Sequence, residues 1–199
     1  MRTQALSHIR MAFFLWVLAV LNPFSNVWAQ SSDLAEKLRS ADHILLIRHT
    51  LAPGVGDPAN YTLADCRTQR NLSQEGRQQA VRLGEWLRKQ GVAAADVYSS
   101  PWCRCKDTAE LMQFGGFKVE PTLASFFDDM SKAKASTQAL HLFVTKTLKD
   151  KGNKALILVT HHVNIYEYVG ENIDSGDMVL VKVDRQGKML SYQRIARPS

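Results

Sequence analysis

The stretch ILLIRHTLAPG, Ile44–Gly54, decides how this chain is read. Four apolar residues run without alternation into Arg48 and His49, and Pro53 and Gly54 then break the pattern. Such a run, opened by His43, predicts a short strand covered on both faces. Sheets of covered strands bind their ligands beyond the strands' carboxyl ends. A cation and an imidazole side by side at such an end are placed for chemistry rather than for packing.

Downstream, residues 50–70 are rich in Pro, Gly, Asp and Thr and read as a long loop, a length that in a compact domain usually serves function. NLSQEGRQQAVRLGEWLRKQG follows, with Ser73 as N-cap, apolar Ala80, Leu83, Trp86 and Leu87, and Gly91 as the stop, so a helix is predicted. Ala95–Ser100 is the next strand, and Pro101 opens a helix from Trp102 to about Gln113. Phe117–Pro121 is a third strand, followed by a loop over Thr122–Lys134 and a helix over Ser136–Lys149. Lys154–Thr160 is the most apolar strand and is expected at the centre of the sheet. A short helix after His162 precedes two strand-like runs joined by the turn Asp184–Lys188, a predicted hairpin. Strands alternating with helices predict a three-layer α/β/α fold with a mostly parallel sheet and an antiparallel edge hairpin.

The first thirty residues have a different character. Arg2 and Arg10 are the only Lys, Arg, Asp or Glu before Asp33, the apolar run MAFFLWVLAVL follows, and Val27 and Ala29 stand in small-residue cleavage positions. This is the layout of a secretory signal peptide over 1–29, with a single domain over 30–199. The apolar run is short of the roughly 20 residues a spanning helix needs, so no stable membrane insertion is expected after cleavage. A periplasmic or secreted location follows. Two arginines and no acid leave with the leader, taking the net charge from +6 to +4. Lysines and arginines are scattered rather than clustered, so nucleic acid is not an expected partner. In an oxidising compartment Cys66 is expected to pair with Cys103 or Cys105, leaving one thiol free.

Three predicted strand ends carry suggestive residues: Arg48-His49, Ser99 through Arg104, and His161-His162. Two histidines and two arginines on one sheet edge suit phosphoryl transfer. A neutral imidazole attacks phosphorus, and guanidinium forks neutralise its oxygens. The motifs then accumulate in order. LIRHT resembles a strand ending in Arg-His-Gly, NLSQEGRQQA matches N-L-[ST]-x-x-G-x-x-Q-A, SSPWCRCKDTA matches S-S-P-x-x-R-x-x-x-T-A, and LVTHHVNI supplies a strand ending in Thr-His. Over roughly Ile44 to Ile165 the chain resembles the histidine phosphatase superfamily, the phosphoglycerate-mutase-like fold, and most closely a small exported branch of it.

The resemblance implies an enzyme, a phosphoric monoester hydrolase with His49 as nucleophile and phosphohistidine carrier. Arg48 and Arg104 would bind the phosphoryl group, and His161 would be the second pocket histidine. It implies no metal and no cofactor, because arginines and histidine supply the positive charge. Its partner would be a phosphorylated small molecule or an envelope component. His162, Thr50 and Arg70 are further candidate substrate contacts, with Thr50 replacing the usual glycine and expected to narrow the pocket floor. Arg67 and Arg70 in the long loop read equally as surface charge, and Asn164 reads as a pocket residue or a helix cap. Family members often carry a glutamate acid where Ser125 stands here, which leaves Asp128 or Asp129 as proton donor. Water, with no protein acid, is the third possible donor, and the departure motivates an alternative from another class, a phosphate- or phosphoester-binding protein with little or no turnover. A mutase is disfavoured by the short chain, which lacks the mutases' insertions.

Overall fold

Six strands form one sheet in a computed structural model that describes residues 33–199; the expected leader over 1–29 lies outside the described residues. They are β1 (His43–Arg48), β2 (Ala95–Ser99), β3 (Lys118–Val119), β4 (Ala155–Thr160), β5 (Met178–Val183) and β6 (Met189–Ile195), in spatial order β3-β2-β4-β1-β5-β6. β1, β2, β3 and β4 pair in parallel, and β5 and β6 add an antiparallel hairpin at the β1 side. The two most apolar runs, β1 and β4, are therefore the central neighbours.

Side-chain alternation in these strands feeds two cores. Leu45 and Ile47 of β1, with Ile157 and Val159 of β4, face α1 (33–39), α2 (Gln74–Lys89) and α3 (Cys103–Leu111). Ile44, Leu46, Leu156 and Leu158 face α4 (Ala133–Asp150) and α5 (His162–Val169) on the other side. Both faces are covered, so the strands show no polar alternation. The three-layer α/β/α architecture is as expected.

Differences are confined to element ends. The third strand shrinks from Phe117–Pro121 to two residues, because Pro121 opens a 3₁₀ turn capped by Glu120. α3 stops two residues before Gln113, which takes a positive φ of 58°. α4 starts at Ala133, three residues before Ser136, because a 3₁₀ turn capped by Asp129 leads into it. The long loop contains a 3₁₀ turn at Cys66–Thr68 and is tied to the start of α3 by the disulfide Cys66–Cys103. Cys105 is the free, buried thiol.

Candidate active site

Backbone pairing sets the carboxyl edge of the sheet. His49 N–H donates to Thr160 O at 3.0 Å, and Ser100 N–H donates to Val159 O at 2.9 Å, so the residues following β1, β2 and β4 converge. Two of the quoted motifs hold this edge. Leu51 N–H donates to Gln79 Oε1 at 3.1 Å, and Ser73 N–H donates to Leu51 O at 3.0 Å. Gly76 gives the room: a Cβ there would lie 2.0 Å from Leu51 O. Thr108 of the second motif accepts from Thr50 N–H at 3.1 Å and donates to Arg104 O at 2.7 Å.

A cavity of about 220 Å³ opens at this edge, lined by Arg48, His49, Arg70, Arg104, His161 and His162, with Asp57, Ser125, Phe127 and Asp128. The structure thus brings together the predicted nucleophile, second histidine, three arginines and His162. Asp128 lies in the same wall and accepts from Tyr61 Oη at 3.0 Å. Burial and this carboxylate push the Tyr61 phenol up to about 12. Asp129 instead accepts from Ser131 and lies by Lys132, so the two carboxylates separate into one cavity residue and one cap.

His49 is 1% exposed. Its Nδ1 donates to Thr50 O at 2.8 Å, which leaves Nε2 as the free lone pair. Burial holds the imidazole well below its usual range; the Thr50 carbonyl opposes this, and the nearby guanidiniums reinforce it. His161 is held low in the same way, by burial first and then by His49 and Arg104. Its ring lies 5.5 Å from that of His49. Arg104 Nη2 donates to His161 Nδ1 at 3.5 Å, and His161 Nε2 donates to Ser100 Oγ at 2.8 Å. Cys105 Sγ also lies 3.5 Å from Nε2, and burial pushes that thiol up to about 12, so it is inert.

Among the described residues, the Nε groups of Arg48 and Arg104 are buried without partners. Arg48 is anchored through Nη1 to Ile173 O at 2.7 Å, and Arg70 through Nε to Gly56 O at 2.7 Å and through Nη1 to Ala52 O. Thr50 is a correction. Its side chain is fully buried against Thr108, away from the cavity, so the threonine neither narrows the floor nor reaches a ligand; its carbonyl does the work on His49. Arg67 is exposed and paired with Asp65, outside the cavity. Asn164 neither lines the cavity nor caps α5: its Nδ2 donates to Ala124 O at 2.8 Å, holding the 121–129 segment.

Asp57 is the residue the sequence reading missed. Its carboxylate accepts from Arg104 Nη1 at 2.9 and 3.1 Å, from Arg70 N–H at 2.9 Å and from Trp102 Nε1 at 3.0 Å. Burial raises it, but these donors overcome that and leave it below the usual carboxylate range. The only sequence signal is Gly56-Asp57-Pro58, a turn-forming acid within a loop of functional length.

A lone-pair imidazole facing a cavity with three guanidiniums and unused N–H donors is equipped to receive a phosphoryl group. Fold and site together define a phosphatase of the open α/β class. The sequence family described as the histidine phosphatase superfamily (branch 1) matches residues 44–131, the segment that carries three of the four motifs quoted above. No curated protein matches the chain in sequence. Among solved structures it is similar to the protein histidine phosphatase SixA complexed with tungstate, with a TM-score of 0.56, 16% identity, and coverage of 78% of this chain and 97% of that one. It is similar to mycobacterial glucosyl-3-phosphoglycerate phosphatase, with a TM-score of 0.54, 15% identity, and coverage of 79% and 99%. The Entamoeba histolytica phosphoserine phosphatase in complex with 3-phosphoglyceric acid gives a TM-score of 0.53, 13% identity, and coverage of 75% and 95%. At these identities the likeness is one of fold.

Proposed function

We propose that the chain is an exported, metal-independent phosphatase that hydrolyses a phosphate monoester through a phosphohistidine on His49. The observation that carries this reading is the state of His49: buried, neutral, with Nδ1 committed to Thr50 O and Nε2 free toward an arginine-lined cavity. Nε2 attacks phosphorus while the bond to the ester oxygen breaks. Arg48, Arg70 and Arg104 neutralise the non-bridging oxygens, acting through positioning and charge. The dianion draws a proton onto His161, which adds a further positive charge. Asp128 gives a proton to the leaving oxygen, then takes one from the water that attacks the phosphoenzyme. That second step breaks the P–N bond, releases inorganic phosphate and restores the Nε2 lone pair. The substrate is a phosphorylated small molecule or envelope component. Export is supported by the leader-like residues 1–29 and by the Cys66–Cys103 disulfide, which suits an oxidising compartment.

The test is phosphate release from an activated aryl phosphate across pH 4–8 with chelator present, for wild type and His49→Ala. The expected result is chelator-resistant turnover that the substitution abolishes. Full activity in a folded His49→Ala protein overturns the mechanism. A second reading, a phosphate-binding protein with little turnover, is favoured by Ser125 lining the cavity at the place where the family resemblance implies a glutamate acid. It predicts phosphate binding by a folded wild type that releases no phosphate from the ester.

A further inference from the structure

A pocket for an anion here contains a buried carboxylate. Asp57 lines the same cavity as His49 and the three arginines, and its side chain and that of Arg104 are each only 4% exposed. A guanidinium this deep without a partner is costly, so Arg104 needs a counter-ion within the protein, and Asp57 supplies it. With a phosphoryl group bound, the ligand itself supplies that charge, and a second anion at the same guanidinium becomes a competitor. The contacts make this specific. Both Asp57 oxygens fall on Arg104 Nη1, which also donates to Arg70 O at 3.3 Å. Among the described residues Arg104 Nε has no partner and neither has Arg48 Nε, and both arginines line the cavity. An anion held there shares one guanidinium with Asp57.

We propose that Asp57 is the resting counter-ion of Arg104 and a built-in competitor of the bound phosphoryl group, which weakens the grip on phosphate and lets product leave. The inference rests on the phosphatase reading of this pocket. Its physical basis is like-charge repulsion in a water-poor cavity, where screening is weak. The competitor is fixed in place rather than free to swing out. Arg70 N–H and Trp102 Nε1 hold the carboxylate, and the Cys66–Cys103 disulfide ties its loop to the residue adjoining Arg104.

The test uses sulfate, a tetrahedral dianion with no proton to exchange near neutrality. It is titrated calorimetrically at pH 7 and fixed ionic strength into wild type, Asp57→Asn and Asp57→Ser. Inorganic phosphate is measured in parallel as an inhibitor of aryl phosphate turnover. The sulfate Kd and the phosphate inhibition constant are expected to fall by about tenfold in both variants, on the scale of a removed like-charge contact. A residue that only orients Arg104 would give the opposite sign, so unchanged or weaker binding in the folded variants overturns the inference. The wild type offers a reading that needs no variant. The indole N–H signal of Trp102, which reports its bond to Asp57, shifts on sulfate binding, and an unmoved signal counts against the proposal. Failure of the phosphatase reading is distinguishable, because it shows as sulfate binding without turnover and leaves the competition intact. No sulfate binding by any form overturns both.

Discussion

Burying an imidazole among guanidiniums ties the charge state of the site to the stability of the fold. His49 and His161 are both held well below the ordinary histidine range, by burial first and by neighbouring positive charge. His141 and His162 are lowered too, again mainly by burial. The sign follows from linkage. Unfolded histidines take up protons below about pH 6.5 and these buried ones do not, so stability is full above that pH and is lost as pH falls toward the folded values. Asp57 and Asp177 are lowered carboxylates, and their contribution disappears only at more acid pH, below about 4. The melting temperature of the free protein is therefore expected to drop between about pH 6.5 and 5. A His49→Asn, His161→Asn double variant should show a shallower drop over that interval. An equal slope in wild type and variant would mean that the two pocket histidines do not couple to folding. Saturating sulfate should also flatten the wild-type slope, because an anion beside His161 favours its protonated form.

At the scale of elements, a glycine carries more of the site than its size suggests. Gly76 opens the first turn of α2 against the backbone that follows His49, and a Cβ there would lie 2.0 Å from Leu51 O and 2.9 Å from its carbonyl carbon. Neither atom belongs to a flexible side chain, so Gly76→Ala must push α2 and the residue 51 backbone apart. The expected cost is about 1–3 kcal/mol, as for other overpacked sites. The same shift strains the Leu51 bonds to Gln79 and Ser73 that hold the strand end. Thermal unfolding and aryl phosphate turnover should therefore fall together; a variant with wild-type stability and turnover would show that the close approach is not required. This position also marks what was legible in advance. Strands and helices could be read because their hydrophobic periods are enforced by two cores, and the sheet edge could be read because two strands run into Arg48-His49 and His161-His162 and a third leads to Arg104 at the start of α3. The partition of Asp128 from Asp129 could not, because it depends on which carboxylate caps the 3₁₀ turn before α4. Thr50 was misjudged because its neighbour Thr108 stands 58 positions away. Asp57 was hidden because a loop of some twenty residues carries two acids, Asp57 and Asp65, and only its closure over Arg104 selects one.

For the molecule as a whole, one covalent link joins the long 50–70 loop to the start of α3. Cys66 and Cys103 are 37 residues apart in sequence, and the segment between them contains all of α2 and β2. Cross-linking a loop of that length removes unfolded-state entropy worth about 3–4 kcal/mol on the chain-entropy account. For a domain of this size each kcal/mol corresponds to about 2–4 °C, so a Cys66→Ser, Cys103→Ser double variant should melt roughly 10 °C lower. The link also has a local consequence. It fixes the loop that presents Asp57 and Arg70 against the first turn of α3, where Arg104 sits between Cys103 and the buried Cys105. Without it, hydrogen bonds such as Cys103 N–H to Gln69 Oε1, Trp102 Nε1 to Asp57 and Arg104 Nη1 to Asp57 and Arg70 O must hold the loop. The double variant should therefore show a raised KM for an aryl phosphate at temperatures well below its melting point, with the His49 chemistry intact. Adding a reductant to wild type should reproduce both effects, and adding it to the double variant should change nothing. A lower melting temperature with an unchanged KM would assign the disulfide to stability alone and leave the loop ordered by its hydrogen bonds.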